Sequence, residues 1–471
     1  MSKQLDFLTL EVGSTITKAN GFIKSPDHAL MHVAQGFAPT SVLQGNVGIG
    51  LLAAIENLEE SSGFNTDAAE VFANSSAAGG LRVTVHGLTY NMTARAAKEA
   101  SLGAGAIIKM VTAGELSEFD LEEIEEINPN MVILAGGVDF GAKEIVLSNA
   151  IKLASLDLGV PVVYAGNAAL KRAVENIFHK SGTELMIAPN VFPDVDVLNV
   201  DPLRKRMQEL FSKHIIHAPG MERLESLTDR QIIPTPGAVL KGAELFAEVA
   251  GDVLVLDVGG ATTDVHSVTE GSREFADKLV DPEPHAKRTV EGDLGVYVNA
   301  ANIIEMFPEP HAKRTVEGDL GVYVNAANII EMAEEEERKK HAEAIKAMPA
   351  TDSEREMTRW LCRKAVETGV RRHAGVISDL YTPSGKKQIV KGKDLSAVNW
   401  VVGTGGALTR VEGGEEILRS VCTGPGKYLL PKPSARILLD ANYLFSALGT
   451  ICHDYPDLVR NTFKKWIEKN D

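Results

Sequence analysis

The sequence predicts an α/β protein with several tight turns between strands and helices. Forty-two glycines and only 6% aromatic residues suit such a chain, because glycine tolerates the backbone angles that these turns need. Short, almost wholly apolar runs at Met131–Ala135 and Val160–Ala165 are typical of strands buried on both faces. Three glycine-rich turns, each directly after a strand-like run, are the third observation and indicate two lobes.

Length, charge and cysteine content limit the class of protein. At 471 residues with 44% apolar content, the chain is long enough for about two or three domains of roughly 150 residues. The net charge of −16 excludes nucleic acid and anionic membrane as expected partners, since both repel an acidic surface. Cys362, Cys422 and Cys452 lie far apart and cannot form a complete disulfide framework. Together with the absence of a signal-like or membrane-spanning apolar run, this predicts a cytoplasmic protein.

Local patterns predict the elements that carry the turns. An N-terminal β-hairpin is expected from Phe7–Val12 and Ala19–Ile23, with Gly13–Lys18 as its loop. Helices are expected near Leu51–Glu60 and Met92–Ala100. Pro234-Thr235-Pro236 predicts the start of a helix over Gly237–Ala250. Strands are expected at Val253–Leu256 and Trp400–Val402.

An internal repeat lies in the second half of the chain. Residues Pro282–Met306 recur without a change at Pro308–Met332, at an offset of 26 residues. Two copies are too few for a solenoid, and perfect identity indicates a recent tandem duplication or an error in the recorded sequence. One copy is expected to fill a place in the fold and the other to be a surface insertion, where added length costs little entropy. The pattern does not distinguish the two copies. The charged stretch Glu334–Lys340 after them is expected to be a solvated helix face.

The first glycine turn combines groups that suit an anion. In Glu11-Val12-Gly13-Ser14-Thr15-Ile16-Thr17-Lys18, a strand ends in an acid, glycine lets the backbone approach closely, and hydroxyls and a lysine follow. Backbone N–H groups in such a turn form an anion-binding nest. By itself this pattern is also that of a common hairpin turn.

A second turn repeats that arrangement. In Asp257-Val258-Gly259-Gly260-Ala261-Thr262-Thr263-Asp264, a strand, an acid, paired glycines and hydroxyls are followed by a second acid. The duplication predicts two lobes that grip one polyphosphate. Because Mg²⁺ prefers oxygen ligands and keeps several waters, carboxylates beside such a turn are expected to hold it; the candidates are Asp257 and Asp264.

The third turn follows the strand-like run Trp400–Val402 and comprises Gly403, Thr404, Gly405, Gly406 and Ala407. Its glycines leave room for a purine and its ribose against the backbone, although a plain tight turn before a helix has the same pattern. Other metal and thiol chemistry is not indicated, because the sequence has no HExxH pattern and no paired Cys/His spacing. Asp264-Val265-His266 lacks the glycine of a cobalamin-binding loop, so His266 is expected to be a strand histidine.

The three turns, in this order, resemble the phosphate-1, phosphate-2 and adenosine motifs of the actin, sugar-kinase and DnaK-chaperone superfamily. The resemblance implies an actin-like, ribonuclease H-like fold of two lobes with a nucleotide cleft between them. It implies a first lobe with insertions over residues 1–250, a second lobe over 251–434, and C-terminal helices over 435–471 that return to the first lobe. In that last part, Leu438-Leu439-Asp440 and Ser446-Ala447-Leu448-Gly449 look like one small-residue helix.

Within the superfamily the chain is most similar to the MutL/GlmL family, accessory proteins of adenosylcobalamin-dependent glutamate mutase that share only a name with the mismatch-repair MutL. Besides the nucleotide motifs, the similarity is carried by five stretches of the chain: Ser75–Leu81, Leu134–Asp139, Ala165–Asn167, Pro234–Val239 and Arg288–Gly295. The last of these also resembles a cleft-lining stretch of DnaK-type chaperones, which implies that Asp293 or its twin Asp319 lies near the nucleotide.

The resemblance implies ATP and Mg²⁺ as cofactors and assigns roles to the three turns. It implies phosphate contacts from Gly13, Ser14, Thr15, Thr17 and Lys18 and from Gly259, Gly260, Ala261, Thr262 and Thr263, and adenosine contacts from Gly403 to Ala407. Asp257 and Asp264 are expected to order Mg²⁺ and water, with Glu11 as a third metal-side carboxylate and Lys18 assisting phosphoryl transfer.

Two departures from the superfamily bear on catalysis. Glu11 stands where an aspartate is usual, and its extra methylene would shift a metal-bound water. Pro234–Val239 carries no carboxylate where DnaK-type chaperones place a water-orienting glutamate, so slow hydrolysis is expected. The expected function is that of an ATP-dependent reactivating factor whose partner is a cobalamin mutase of the glutamate mutase type. A small-molecule kinase and a non-hydrolysing, nucleotide-gated scaffold are the alternatives.

Overall fold

The computed structural model of the chain describes residues 3–13, 16–41, 45–76, 81–215, 221–259, 262–291, 351–383 and 385–470. The chain divides into two compact units. Unit 1 comprises Met1–Ala78, Ala238–Asp281 and His285–Asp471, and unit 2 comprises Gly79–Gly237 with Pro282–Pro284. Unit 2 therefore interrupts unit 1 in sequence.

Strands and helices alternate along most of the described chain, as expected of an α/β protein. The strands are β1 (Lys3–Gln4), β2 (Phe7–Val12), β3 (Ile16–Lys24), β4 (Leu30–Pro39), β5 (Phe64–Asn65), β6 (Glu70–Ser75), β7 (Leu81–Gly87), β8 (Ala106–Ala113), β9 (Met131–Leu134), β10 (Val162–Tyr164), β11 (Leu185–Ile187), β12 (Ile233–Pro234), β13 (Val253–Val258), β14 (Thr263–Val268), β15 (Ala286–Glu291), β16 (Val376–Thr382), β17 (Gly385–Lys391), β18 (Trp400–Thr404) and β19 (Arg436–Leu439). The helices are α1 (Val47–Ser62), α2 (Arg95–Gly103), α3 (Glu118–Ile127), α4 (Glu144–Ser155), α5 (Lys171–Ser181), α6 (Asp201–Ile215), α7 (Met221–Leu227), α8 (Thr235–Ala250), α9 (Arg273–Ala276), α10 (Asp352–His373), α11 (Gly406–Thr409), α12 (Gly414–Ser420), α13 (Leu444–Ile451) and α14 (Pro456–Asn470).

Unit 1 contains two mixed sheets whose strands follow the same order. In the first sheet β4, β3, β2 and β6 are neighbours, and in the second β15, β14, β13, β18 and β19 are neighbours. Each begins with a three-stranded antiparallel meander, and the first strand of each meander pairs in parallel with a later strand. Helix α1 leads from the first meander to β6. The same strand order therefore occurs twice in unit 1.

One hydrophobic core joins the two sheets of unit 1. Phe7 and Phe22 from the first sheet and Val255 and Trp400 from the second belong to one buried cluster with helices α8, α13 and α14. A second cluster covers the other face of the second sheet, where Leu256 and Val401 meet residues of α10 and α12. The second sheet is thus buried on both faces, which explains the apolar run Val253–Leu256.

Close packing of α13 against α8 requires glycine. A side-chain carbon at Gly449 would lie 1.9 Å from the carbonyl oxygen of Ala238 and 3.1 Å from the backbone nitrogen of Gly242. Ala447, on the same helix, is buried. The small residues Ala447 and Gly449 therefore let α13 pack closely against α8, and the expected small-residue helix forms at Ser446–Gly449. Leu438 and Leu439, expected in the same helix, instead end strand β19, because they pair with Val402 and Gly403; that expectation was wrong.

The first copy of the repeat supplies an edge strand. Its residues Ala286–Glu291 form β15, which runs antiparallel to β14 and places Arg288 opposite His266. Residues 282–285 precede this strand within the described residues, whereas residues 292–306 of the first copy, the whole second copy and Glu334–Lys340 lie outside them, as do Asp293 and Asp319. The first copy of the repeat therefore contributes a strand to the second sheet.

Unit 2 contains a parallel sheet with the strand order β11-β10-β9-β7-β8. Every residue of β9 and β10 is buried, as expected of central strands in a parallel sheet covered on both faces. Helices α3, α4 and α5 contribute Ile124, Ala150 and Val174 to a core on this sheet. The predicted strands at Met131–Ala135 and Val160–Ala165 are confirmed here.

The remaining local predictions agree with the structure apart from the bounds of some elements. The hairpin β2–β3, the helix α1 and the strand β18 lie where they were expected. Helix α8 begins at Thr235, so Pro236 lies in its first turn, where no backbone N–H is needed. Near Met92 a π-helical turn over Tyr90–Ala94 precedes α2. Among the described helices, none combines the length and apolar character needed to cross a membrane.

Candidate functional site

The first two glycine turns close their hairpins in the same way. In β2–β3, Glu11 faces Lys18 across the strands, and the N–H of Gly13 donates to the carbonyl of Ile16 at 3.1 Å. In β13–β14, Asp257 faces Asp264, and the N–H of Gly259 donates to the carbonyl of Thr262 at 2.9 Å. Each hairpin therefore presents a pair of ionisable side chains just before its turn.

The third turn lies directly against the second. Strand β18 is parallel to β13, with Thr404 level with Asp257. Gly405 has φ of 89°, and a side-chain carbon there would lie 2.6 Å from Oδ1 of Asp257 and 2.4 Å from the carbonyl oxygen of Val258. Only glycine fits this position, because both the space and the backbone angle exclude a side chain. Two of the three predicted turns are thus in contact.

The first turn is linked to the other two through charge. The pKa of Asp257 is influenced by Lys18 and Glu11 from the first hairpin, as well as by Asp264 and Asp440. The pKa of Lys18 is in turn influenced by Asp257. The structure therefore brings the predicted residues Glu11, Lys18, Asp257 and Asp264 into one electrostatic cluster within unit 1.

Lys18 and Glu11 form a close ion pair at the centre of this cluster. Nζ of Lys18 lies 2.6 Å from Oε1 of Glu11, and Oγ of Ser446 donates to Oε2 of Glu11 at 2.5 Å. Burial lowers the pKa of Lys18, but the attraction of Glu11, with a smaller one from Asp257, outweighs it and the pKa is raised. Lys18 therefore keeps its positive charge at neutral pH.

Asp264 is held by a buried arginine from the edge strand. Nε and Nη2 of Arg288 lie 2.8 Å and 2.6 Å from Oδ1 of Asp264, and the hydroxyl of Thr262 donates to Oδ2 at 3.1 Å. Both charged residues are almost fully buried. Charge-assisted bonds of this length fix the carboxylate strongly. Sequence reasoning did not find this role of Arg288, because the partners are brought together only by the pairing of β14 with β15.

Asp440 is a second residue, after Arg288, to which the sequence analysis assigned no role at the site. It follows strand β19, accepts hydrogen bonds from the backbone N–H groups of Leu444 and Phe445, and accepts another from the hydroxyl of Thr404 at 3.0 Å. Burial raises its pKa, and these hydrogen bonds oppose the rise. An acid between a strand and a helix is a helix-capping signal, and that signal was present in the sequence.

The predicted nucleotide contacts are only partly described. Ser14, Thr15, Gly260 and Ala261 lie outside the described residues. The hydroxyl of Thr17 shares a hydrogen bond of 3.0 Å with Thr40. Oγ1 of the corresponding Thr263 is buried, and the described part of the chain offers it no hydrogen-bond partner. The carbonyl of Ala407 accepts from the thiol of Cys362.

The carboxylates of the electrostatic cluster fit a divalent cation that is bound mainly through water and phosphate. Burial and then the neighbouring Asp264 raise the pKa of Asp257 to about 7, and a cation would relieve that repulsion. Within the described ranges, no group of three His, Cys, Asp or Glu residues forms a metal-binding set by itself. Mg²⁺ commonly uses one or two carboxylates together with substrate phosphates, so Asp257 and Asp264 suit a shared site.

The histidine and cysteines set aside from the sequence are buried. His266 lies in β14 as predicted, and burial, with the nearby Arg288, holds its pKa well below its ordinary value. The three cysteines are free and buried, and burial raises the pKa of each thiol. Such thiols are poor nucleophiles, because the thiolate is the reactive form.

The raised pKa of Asp257 predicts a pH-dependent stability. Between pH 3.8 and about 7 the folded protein keeps a proton on Asp257 that the unfolded chain has lost, so this contribution to stability falls as pH rises through that window. Asp257→Asn removes the effect. In urea unfolding without Mg²⁺ or nucleotide, the free energy of unfolding of the wild type should fall by about 2–3 kcal/mol relative to that of the variant between pH 5 and pH 8. An equal difference between the two proteins at both pH values would contradict this.

Comparison with known proteins identifies the family. The family described as MutL protein matches residues 7–307 and again 303–467, so its two matched stretches meet at the junction of the repeat copies. Protein MutL of Clostridium tetanomorphum is 35% identical over 474 aligned residues, which cover 98% of this chain and 99% of that protein.

Two solved structures show a weaker likeness. The nucleotide-free structure of acetone carboxylase, an enzyme of ATP-dependent acetone carboxylation, aligns over 61% of this chain and 48% of its own, at 15% identity and a TM-score of 0.31. Glycerol dehydratase reactivase aligns over 94% of this chain and 99% of its own, at 10% identity and a TM-score of 0.30. Scores this low bear on neither fold nor function. On the family match and the full-length relative, the chain belongs to the MutL family, and not to the mismatch-repair proteins of the same name.

Proposed function

We propose that unit 1 is an actin-like ATPase unit that binds MgATP between two lobes. The single observation that carries the proposal is the pair of hairpins with the same register, each ending in charged residues and gathered with Lys18 into one cluster. The repeated strand order of the two sheets supports two lobes. The boundaries at residues 250 and 434, and the return of the C-terminal helices to the first lobe, are part of this proposal.

The residues of the three turns take distinct roles in this proposal. Backbone N–H groups of the loops at Gly13–Lys18 and Gly259–Thr263 bind the phosphates, and Gly403–Ala407 binds adenosine. Lys18 donates to a phosphate oxygen in exchange for part of its bond to Glu11. When bound, Mg²⁺ supplies positive charge for phosphoryl transfer, and Asp257 and Asp264 hold its waters. Positioning and electrostatic stabilisation are the main requirements of this reaction.

We further propose that the protein serves an adenosylcobalamin-dependent mutase of the glutamate mutase type as an accessory or reactivating factor. Membership of the MutL family supports this partner, because the sequence resembles accessory proteins of that enzyme. Nucleotide-driven movement of the lobes would release damaged cofactor from the mutase. The localisation that suits this role is cytoplasmic.

ATP titration and turnover test the proposal and its alternatives. We expect the purified chain to bind MgATP and hydrolyse it slowly, with ATP-dependent cofactor exchange when the mutase is added. Lys18→Met should weaken ATP binding by about tenfold or more, because a charge-assisted bond to phosphate is lost. Lys24→Met, at the other end of the same strand, is the matched control and should change the Kd less than twofold.

Each other outcome has a defined meaning. ATP binding without turnover favours the nucleotide-gated scaffold, and accumulation of a phosphorylated small molecule favours the kinase. Failure of the wild-type protein to bind MgATP would contradict the proposal that unit 1 is an ATPase.

A further inference from the structure

The ammonium group of Lys18 has a second neighbour besides Glu11. Its Nζ lies 4.8 Å from the centre of the Tyr443 ring. A cation over an aromatic ring at this distance is attracted by the negative face of the ring, and the attraction grows when water is excluded. Only 17% of the Lys18 side chain is exposed. The carboxylate and the ring therefore both hold the lysine in one position.

Tyr443 is itself held rigidly. It is buried, with 4% of its surface exposed, and it has a φ of 57°, in the left-handed region that a bulky residue seldom adopts. Such a conformation persists only where surrounding contacts determine it. The residue immediately precedes α13, and its N–H donates to the carbonyl of Asp440.

Arg410 and Phe37 supply those surrounding contacts. Nε of Arg410 donates to the hydroxyl oxygen of Tyr443 at 2.6 Å, and the guanidinium carbon lies 5.4 Å from the Tyr443 ring and 5.6 Å from the Phe37 ring. The rings of Phe37 and Tyr443 meet edge to face at 6.3 Å. The tyrosine is thus fixed from strand β4 and from the residue after α11.

Tyr443 also borders the third turn. A side-chain carbon at Gly406 would lie 3.8 Å from the Tyr443 hydroxyl. One aromatic ring therefore adjoins both the expected adenosine turn and the lysine of the first phosphate turn. The Tyr443 ring therefore contacts Lys18, the cation that is proposed to bind phosphate.

We propose that Tyr443 is a positioning residue for nucleotide binding, which holds the Lys18 ammonium where the phosphates of ATP bind. This inference rests on the proposed function and adds a residue outside the three glycine turns. Arg410 and Phe37 act by keeping the ring in place. The aromatic face, and not the hydroxyl group, is the part of Tyr443 that acts on Lys18.

A double-mutant cycle separates positioning from general structural support. Tyr443→Leu should raise the Kd for MgATP by about tenfold in the wild-type background, as the loss of a buried cation–π contact implies. In the Lys18→Met background the same change should alter the Kd less than twofold, because its target is gone. Tyr443→Phe keeps the ring and should stay within threefold of the wild type.

The outcomes distinguish the inference from the proposed function. An equal loss from Tyr443→Leu in both backgrounds, or no loss in the wild type, overturns the positioning role while wild-type ATP binding stands. A wild-type protein that does not bind MgATP contradicts the proposed function and this inference with it. If Tyr443→Leu does not fold, Tyr443→Met, which also lacks the aromatic face, takes its place in the cycle, and an equal loss in both backgrounds or no loss in the wild type overturns the role of the ring.

Discussion

Replacing Asp264 with alanine should lower the free energy of unfolding by about 3–5 kcal/mol, the usual cost of removing one partner of a buried ion pair. The carboxylate accepts two short bonds from Arg288, and both side chains are almost fully buried. Without Asp264, the positive charge of Arg288 stays buried beside β14 but loses the negative charge of the carboxylate that offsets it. Urea unfolding of the nucleotide-free protein, monitored by circular dichroism, measures the change.

An exposed ion pair provides the control for this substitution. Asp457 forms a pair with Arg460 at 2.7 Å, but 91% of the Asp457 side chain is exposed. Asp457→Ala should therefore change the unfolding free energy by no more than about 0.5 kcal/mol, since solvent screens such pairs. Similar losses from the two substitutions would show that the pair at Asp264 is not the buried interaction described above.

Gly449→Ala should destabilise the protein by about 2–4 kcal/mol, because the added methyl group would enter space occupied by backbone. The new carbon would lie 1.9 Å from the carbonyl oxygen of Ala238 and 2.7 Å from its carbonyl carbon, and backbone atoms of a packed helix cannot move away cheaply. In a helix without that neighbour, alanine would be favoured over glycine by about 1 kcal/mol. The sign of the measured change therefore reports on the packing of α13 against α8.

Gly426→Ala is the matched control for the helix substitution. No atom lies within 4 Å of the position that a side-chain carbon would take at Gly426, so thermal unfolding should show little change. An unchanged or higher midpoint for Gly449→Ala would mean that α13 does not approach α8 as closely as the structure indicates.

Local sequence patterns predicted the N-terminal hairpin and the strands before the other two turns well. The hairpin at Gly13 and that at Gly259 follow from a short apolar strand, a glycine and polar residues, all of which are close together in the chain. The strand order within a sheet depends on contacts between distant residues, and no local pattern specifies them. For this reason the pairing of β14 with β15, and with it the Arg288–Asp264 bond, was not predicted.

Residues Gly79–Gly237 illustrate the same limit at a larger scale. The sequence predicted buried strands at Met131–Ala135 and Val160–Ala165, and they form as expected. It did not predict that Gly79–Gly237 form a compact unit of their own around one parallel sheet. An all-apolar strand reports burial on both faces but not the sheet it joins.

Tyr443, the residue proposed to position Lys18, shows why a neighbour of the site can be missed in a sequence. Nothing around Asp440-Ala441-Asn442-Tyr443 resembles a nucleotide motif, and a tyrosine before a helix has no special meaning by itself. The proposal for it depends on a left-handed backbone and on ring contacts with Lys18 and Arg410. These three residues are far apart in the chain and meet only in the folded unit 1.

A crystal structure with a non-hydrolysable ATP analogue and Mg²⁺ tests the convergence of the three turns most directly. We expect the phosphates within hydrogen-bonding distance of the turns after Val12 and Val258, the metal beside Asp257 and Asp264, and the adenine against Gly403–Ala407. An analogue bound in another part of the protein, with these turns untouched, would contradict the account.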